Sequence, residues 1–117
     1  MAKTYLVNAF AINMVTKFPA TIVIHQLDKE ELCLKLEGKL EDGELINAVG
    51  HDGTIYIVNK LCGVNLEKNR VSIKTNKGDI ALVITIAERL PEGKVLSEKE
   101  LEDMYEQGKI SFYEVII

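Results

Sequence analysis

His51 is one of two histidines in the chain, and it stands in "GHDG", residues 50–53, just before an apolar run. Ile55, Val58, Leu61 and Cys62 recur at i, i+3, i+6 and i+7, one stripe of a helix, although "TIYIV" is β-branched enough to suit a strand. Gly63 follows as a stop signal. The spacing therefore predicts a buried helix over 52–62, with His51 at its mouth. The first N–H groups of a helix lack partners within it, and the macrodipole makes that end positive. A phosphate can bind there without a basic side chain. Gly50 and Gly53 would let such a ligand approach the backbone closely, and a histidine beside it can give or take a proton. The competing reading of His51 is a satisfied structural or surface histidine.

The basic residues are twelve lysines and only two arginines, Arg70 and Arg89. Guanidinium forks bind phosphate bidentately, so these two are candidates for anion contacts, against the plainer alternative of surface ion pairs. Other chemistries find little support. No GxGxxG follows a strand and there is no P-loop. Two separated histidines without HxxH or HExxH spacing do not suggest zinc, so no metal is expected. There is no GxSxG elbow. His51 and Cys62 lie eleven residues apart along one helix, too far to meet within it. Cys33 and Cys62 form no CxxC or Cys/His cluster and sit among apolar residues, so both are expected to be buried thiols.

The elements that must position these residues are legible in outline. A chain of 117 residues fits a single domain over 1–117. It is 47% hydrophobic and 27% charged, an ordinary globular composition. No apolar run approaches the ~18 residues of a membrane span, and the N-terminus lacks a secretory h-region, which points to the cytoplasm and away from membranes. The net charge of −4 argues against a DNA- or RNA-coating protein, yet allows a small anionic ligand in a locally positive pocket.

Strands are expected at 4–9, buried on both faces, and at 20–27, with His25 exposed. Residues 10–19 read as irregular or one helical turn. Asp28 and Glu31 form a capping box for a helix running to about Leu36 and ending at Gly38. A turn at Asp42-Gly43 precedes a possible short helical turn. Residues 70–74 and 79–87 read as a hairpin joined by "TNKG". Residues 88–96 are a loop, Ser97 and Glu100 cap a helix reaching about Gln107, and 110–116 is a last strand. The order implies an α/β (α+β) domain, a single mixed sheet of about five strands flanked by helices.

Taken together, "YLVNAFAINM" (5–14), "INAVGHDGTI" (46–55), "LCG" (61–63), "KNRV" (68–71), "ERLPEGKVL" (88–96) and "GKISFYEV" (108–115) resemble the viral ring nucleases, small anti-CRISPR proteins of archaeal viruses and phages. The resemblance spans nearly the whole chain in one register. It implies a metal-independent, cofactor-free homodimer that binds cyclic tetra-adenylate across its two-fold axis. In that family the ribose 2′-hydroxyl attacks the adjacent phosphate, a histidine protonates the departing 5′-oxygen, and linear di-adenylates with a 2′,3′-cyclic phosphate are released. His51 matches the general acid, Arg89 the arginine that contacts the ring, and Glu92 a supporting glutamate. Asn8, Asn13, Thr54 and Arg70 match ring-contacting positions, and Ala11, Gly50, Gly53 and Thr85 join them as substrate-binding candidates.

The chain also departs from the family. Ala11 and Gly53 stand where serine is usual, Glu88 where glutamine is usual, and Pro91 where glutamate is usual. Ala11 removes a hydroxyl near the ring, and Glu88 adds a negative charge beside Arg89. Two alternatives therefore accompany the enzyme: a non-catalytic sponge for cyclic oligoadenylate, and a small interaction or regulatory protein.

Overall fold

The computed structural model describes residues 2–87 and 97–117. Among them, five strands form one mixed sheet and three helices pack on it. In chain order the elements are β1 (Thr4–Val7), a short 3₁₀ turn (Ile12–Met14), β2 (Val23–Leu27), α1 (Lys29–Glu41), β3 (Leu45–Asn47), α2 (Asp52–Cys62), β4 (Ile80–Ile86), α3 (Glu98–Glu106) and β5 (Ile110–Ile116). The sheet order is β2-β5-β4-β1-β3. β1 runs parallel to both β3 and β4, whereas β5 is antiparallel to β4 and to the edge strand β2.

Alternation along the strands builds two cores. Leu6, Leu82, Ile84, Ile110 and Phe112 face the helices and meet Leu32 and Leu36 of α1, Ile57 and Val58 of α2 and Leu101 of α3. Each such side chain contributes roughly 1.5–3 kcal/mol by leaving water. Tyr5, Val7, Ala81, Val83 and Val115 face the other way, where no described helix lies; Ile73, Phe10 and Met14 cover them instead. Every residue of β1 is buried, as its apolar character on both faces suggested. No helix among the described residues is long and apolar enough to cross a membrane.

Four expectations need correcting. First, α1 does not end at Gly38. A Cβ there would meet nothing, so the glycine is tolerated on an open face while Leu40 still packs on the core. The helix closes at Gly43, φ +70°, in a Schellman motif: Glu44 N–H donates to the Lys39 carbonyl and Gly43 N–H to the Leu40 carbonyl. Second, residues 45–47 form β3, a three-residue edge strand rather than a helical turn. Third, residues 70–74 form no hairpin with β4. Both edges of β4 are taken, by β1 and β5, so that segment crosses the second face and makes only one bridge, Thr75 to Val15. Ile73 is its buried anchor.

Fourth, Cys33 and Cys62 are not free thiols. α1 and α2 pack so that the two Cα atoms lie 5.1 Å apart, and the sulfurs form a disulfide. Closing a loop between residues 29 apart restricts the unfolded chain by roughly 3–4 kcal/mol in the chain-entropy account. Reduction, or Cys33→Ser, is expected to lower stability by about that amount in denaturant melts, and thiol titration of the unreduced, unfolded protein is expected to find no free sulfhydryl.

Tyr5 lies inside the second core, and its hydroxyl donates to the Lys74 carbonyl at 3.3 Å. Burial raises its pKa above the ordinary 10.0, and the charge of buried Asp79 adds to the effect. Asp79 accepts from the Lys3 and Asn76 N–H groups, fixing the start of β1 to the turn before β4. With the phenol favoured neutral in the folded chain, this stabilisation is whole below the ordinary value. It is lost as pH rises through the raised one. The melting temperature is expected to fall above about pH 10, and Tyr5→Phe is expected to lessen that fall.

Candidate functional site

The parallel pairing of β1 with β3 and β4 brings the ends of all three strands to one edge of the sheet. In open sheets, ligands bind in the crevice outside such strand ends. Here a cleft of about 350 Å³ opens, lined among others by Asn8, Gly50, His51, Arg70, Met14 and Val71.

His51 caps α2 in an extended conformation (φ −126°, ψ 122°), and its carbonyl accepts the first bond of the helix from Ile55 N–H. Its imidazole does not fold back to cap the helix and is exposed. The N–H groups of the first turn are therefore left to solvent or to a ligand. Asp52 stands in that turn, where its carboxylate would compete with an anion, but Lys68 Nζ lies 3.3 Å from it and offsets the charge. The helix is held from behind: Ile57, Val58 and Leu61 are buried, and the disulfide ties its last residue to α1.

Arg70 closes the cleft from the other side. A Cβ built on Gly50 would stand 2.8 Å from Arg70 Cγ and 3.0 Å from its Cβ, so the arginine stem lies directly on the glycine backbone. Among the described residues Arg70 has no carboxylate partner within salt-bridge distance. It is exposed, so its guanidinium is open to an anion.

Of the residues expected at the site, His51, Gly50, Arg70 and Asn8 line this cleft together. Ala11 and Asn13 lie nearby in sequence, at the 3₁₀ turn; both are exposed, and the Asn13 carbonyl accepts from Lys74 Nζ at 2.8 Å. Gly53 is half-buried in the first turn of α2, and Thr54 is buried beside it. Thr85, near the end of β4, donates to the Ser111 carbonyl across the sheet at 3.3 Å. Arg89 and Glu92 lie outside the described residues, as does the rest of 88–96. Among the described residues no group of three His, Cys, Asp or Glu side chains is placed to hold a metal ion.

Sequence reasoning missed the apolar wall formed by Met14, Val71 and Ile73. Its signal was hidden because 70–74 reads as a strand. A larger hollow, about 480 Å³, lies between the start of α1 and the end of α3. Asp28, Glu31 and Glu106 line it, so it suits no polyanion, and the smaller cleft carries the argument.

Residues 4–113 match the model of the STIV B116-like family. The chain belongs to that family. It is similar in structure to B116 of Sulfolobus turreted icosahedral virus, with a TM-score of 0.96 and 64% identity over 99% of this chain and all of the other. It is 39% identical over 110 residues to ORF116 of Acidianus filamentous virus 1, covering 94% of this chain and 91% of the relative. A protein of a Sulfolobus islandicus filamentous virus is 35% identical over 95 residues, 80% of this chain and 77% of its own. Proteins of archaeal viruses thus share this fold along nearly its full length.

Within a family member of this geometry, Gly50→Ala is expected to push Arg70 off the backbone it rests on. The contact falls on the stem rather than the flexible tip, so the arginine must move as a whole. A crystal structure of the variant is expected to show a displaced Arg70 with α2 in place, and melting to show a loss of about 1–2 kcal/mol from the clash.

Proposed function

We propose that the protein is a metal-independent ring nuclease that cleaves cyclic tetra-adenylate as a homodimer, and so antagonises type III CRISPR signalling. The observation that carries this reading is the convergence of His51, Gly50, Arg70 and Asn8 at one strand-end cleft, beside the open N-terminus of α2. The resemblance of the sequence to ring nucleases supplies the substrate.

In this mechanism a phosphodiester of the ring sits at the start of α2, where backbone N–H groups and Arg70 stabilise its charge. The ribose 2′-hydroxyl attacks that phosphorus in line and gives up its proton to water. The P–O5′ bond breaks, and His51 donates its proton to the departing 5′-oxygen. The products are a 5′-hydroxyl and a 2′,3′-cyclic phosphate. A two-fold dimer offers two His51 side chains to a ring with its own two-fold axis, and two cuts release two di-adenylates. Arg89 and Glu92 follow β4 in the chain, and the strand ends at the edge that bears the cleft. Their roles in this scheme are to clamp phosphate and to support the clamp.

Ala11 favours a second reading. The start of the 3₁₀ turn carries no hydroxyl, so only backbone groups remain there to orient the 2′-oxygen, and the protein would hold the ring and cut it slowly. Incubation with cyclic tetra-adenylate in EDTA, followed by chromatography and mass spectrometry, separates the two. Conversion to di-adenylate cyclic phosphate is expected, with His51→Ala slower by ~10²–10⁴-fold. An intact ring recovered on the protein would favour the sponge. An intact ring left free in solution would sink both.

A further inference from the structure

Two asparagines stitch together the chain segments on either side of the cleft mouth. Asn69 Nδ2 donates to the Asn47 carbonyl at 2.8 Å, and the Asn69 N–H donates to the Val49 carbonyl at 2.8 Å. Asn47 completes the tie: its Nδ2 donates to the Glu67 carbonyl at 2.6 Å, and its Oδ1 accepts from the Val49 N–H at 3.1 Å. Three hydrogen bonds thus hold 47–49 against 67–69, and the fourth fixes the Asn47 amide within its own segment, although no sheet ladder joins the two. Immediately beyond this clamp stand Gly50 and His51 on one strand of chain and Arg70 on the other.

We propose that Asn69 is a positioning residue for Arg70. It presses the arginine stem onto the Gly50 backbone and so fixes the spacing between the guanidinium and the His51 imidazole. The segment 63–74 has no regular secondary structure, and a long exposed arginine on such a segment is free to wander. Asparagine amides supply the backbone-like bonds that a strand pairing would otherwise provide. A guanidinium held in advance loses less freedom when it meets a phosphate, which makes the contact tighter. The catalytic consequence rests on the ring-nuclease reading above; the positioning itself does not.

The test uses Asn69→Ala alone and combined with Arg70→Ala. In solution NMR of the ligand-free protein, nuclear Overhauser contacts between Gly50 Hα and the Arg70 methylenes are expected in the wild type and lost in Asn69→Ala. Turnover of cyclic tetra-adenylate is expected to fall roughly tenfold or more in Asn69→Ala, with no further loss when the same change is made in the Arg70→Ala background. Equal losses in both backgrounds, or contacts that persist in Asn69→Ala, would overturn the proposal. If the wild type neither binds nor cuts the ring, the functional reading fails by itself, and the NMR contacts alone decide whether Asn69 places Arg70. Should Asn69→Ala unfold, Asn69→Leu keeps the size of the side chain, removes the donor to the Asn47 carbonyl and is read in the same way.

Discussion

Parallel pairing of β1 with both β3 and β4 is the constraint on which the site depends. Parallel neighbours cannot be joined by a tight turn, so each must be reached by a long crossover. β2 and α1 intervene between β1 and β3, and α2 with the irregular 63–79 stretch intervenes between β3 and β4. The chain therefore leaves all three strands at the same edge. Asn8 arrives there from β1 and Gly50-His51 from β3. Residues more than forty positions apart become neighbours without any local signal between them.

The rigidity of α2 then turns that edge into a site. Six of its eleven residues are buried, which is why a β-branched run forms a helix: the i, i+3, i+7 stripe finds a core, and packing outweighs propensity. The Asn59 side chain both donates to the Leu66 carbonyl and accepts from its N–H, pinning the chain that departs from the helix. With the disulfide, the C-terminal end is fixed from two sides. The opposite end is left polar and open. Sites carried on rigid elements hold their geometry better than sites on loops, and here the anchoring and the candidate site occupy opposite ends of one helix.

What the sequence revealed follows from how local each signal is. Capping boxes at Asp28 and Ser97, the stripe from Ile55 to Cys62 and the double burial of β1 are set by residues within one or two turns, and each appears in the structure where its residues place it. The architecture, a mixed five-stranded sheet with helices, followed from the order of those elements. Features decided at a distance were not legible. β3 is only three residues long and exists because β1 has a free edge. Residues 70–74 have the composition of a strand but meet a β4 already paired on both sides. The disulfide depends on the docking of α1 against α2, which the 29-residue spacing does not announce. The chemistry of His51 and Arg70 was identifiable residue by residue; that they meet Gly50 and Asn8 at one cleft follows from no local signal, and only the family resemblance grouped them.

Charge decides what kind of anion such a cleft suits. The chain carries −4 overall, and a cyclic tetra-adenylate carries four negative charges of its own. At physiological salt, charges further apart than about 8 Å are largely screened, so under the proposed reading contacts at the cleft would outweigh the net charge. Those contacts are few and placed: helix N–H groups, an arginine without a carboxylate partner among the described residues, and a lysine that offsets Asp52. An extended nucleic acid needs positive charge along its whole track, and the acidic hollow between α1 and α3 is the wrong surface for it. A compact ring needs charge only where its phosphates touch. Under the proposed reading, an acidic protein with a small positive mouth discriminates by size: it forgoes the long-range attraction that a polymer would exploit and keeps the short-range contacts that a cyclic oligonucleotide can use.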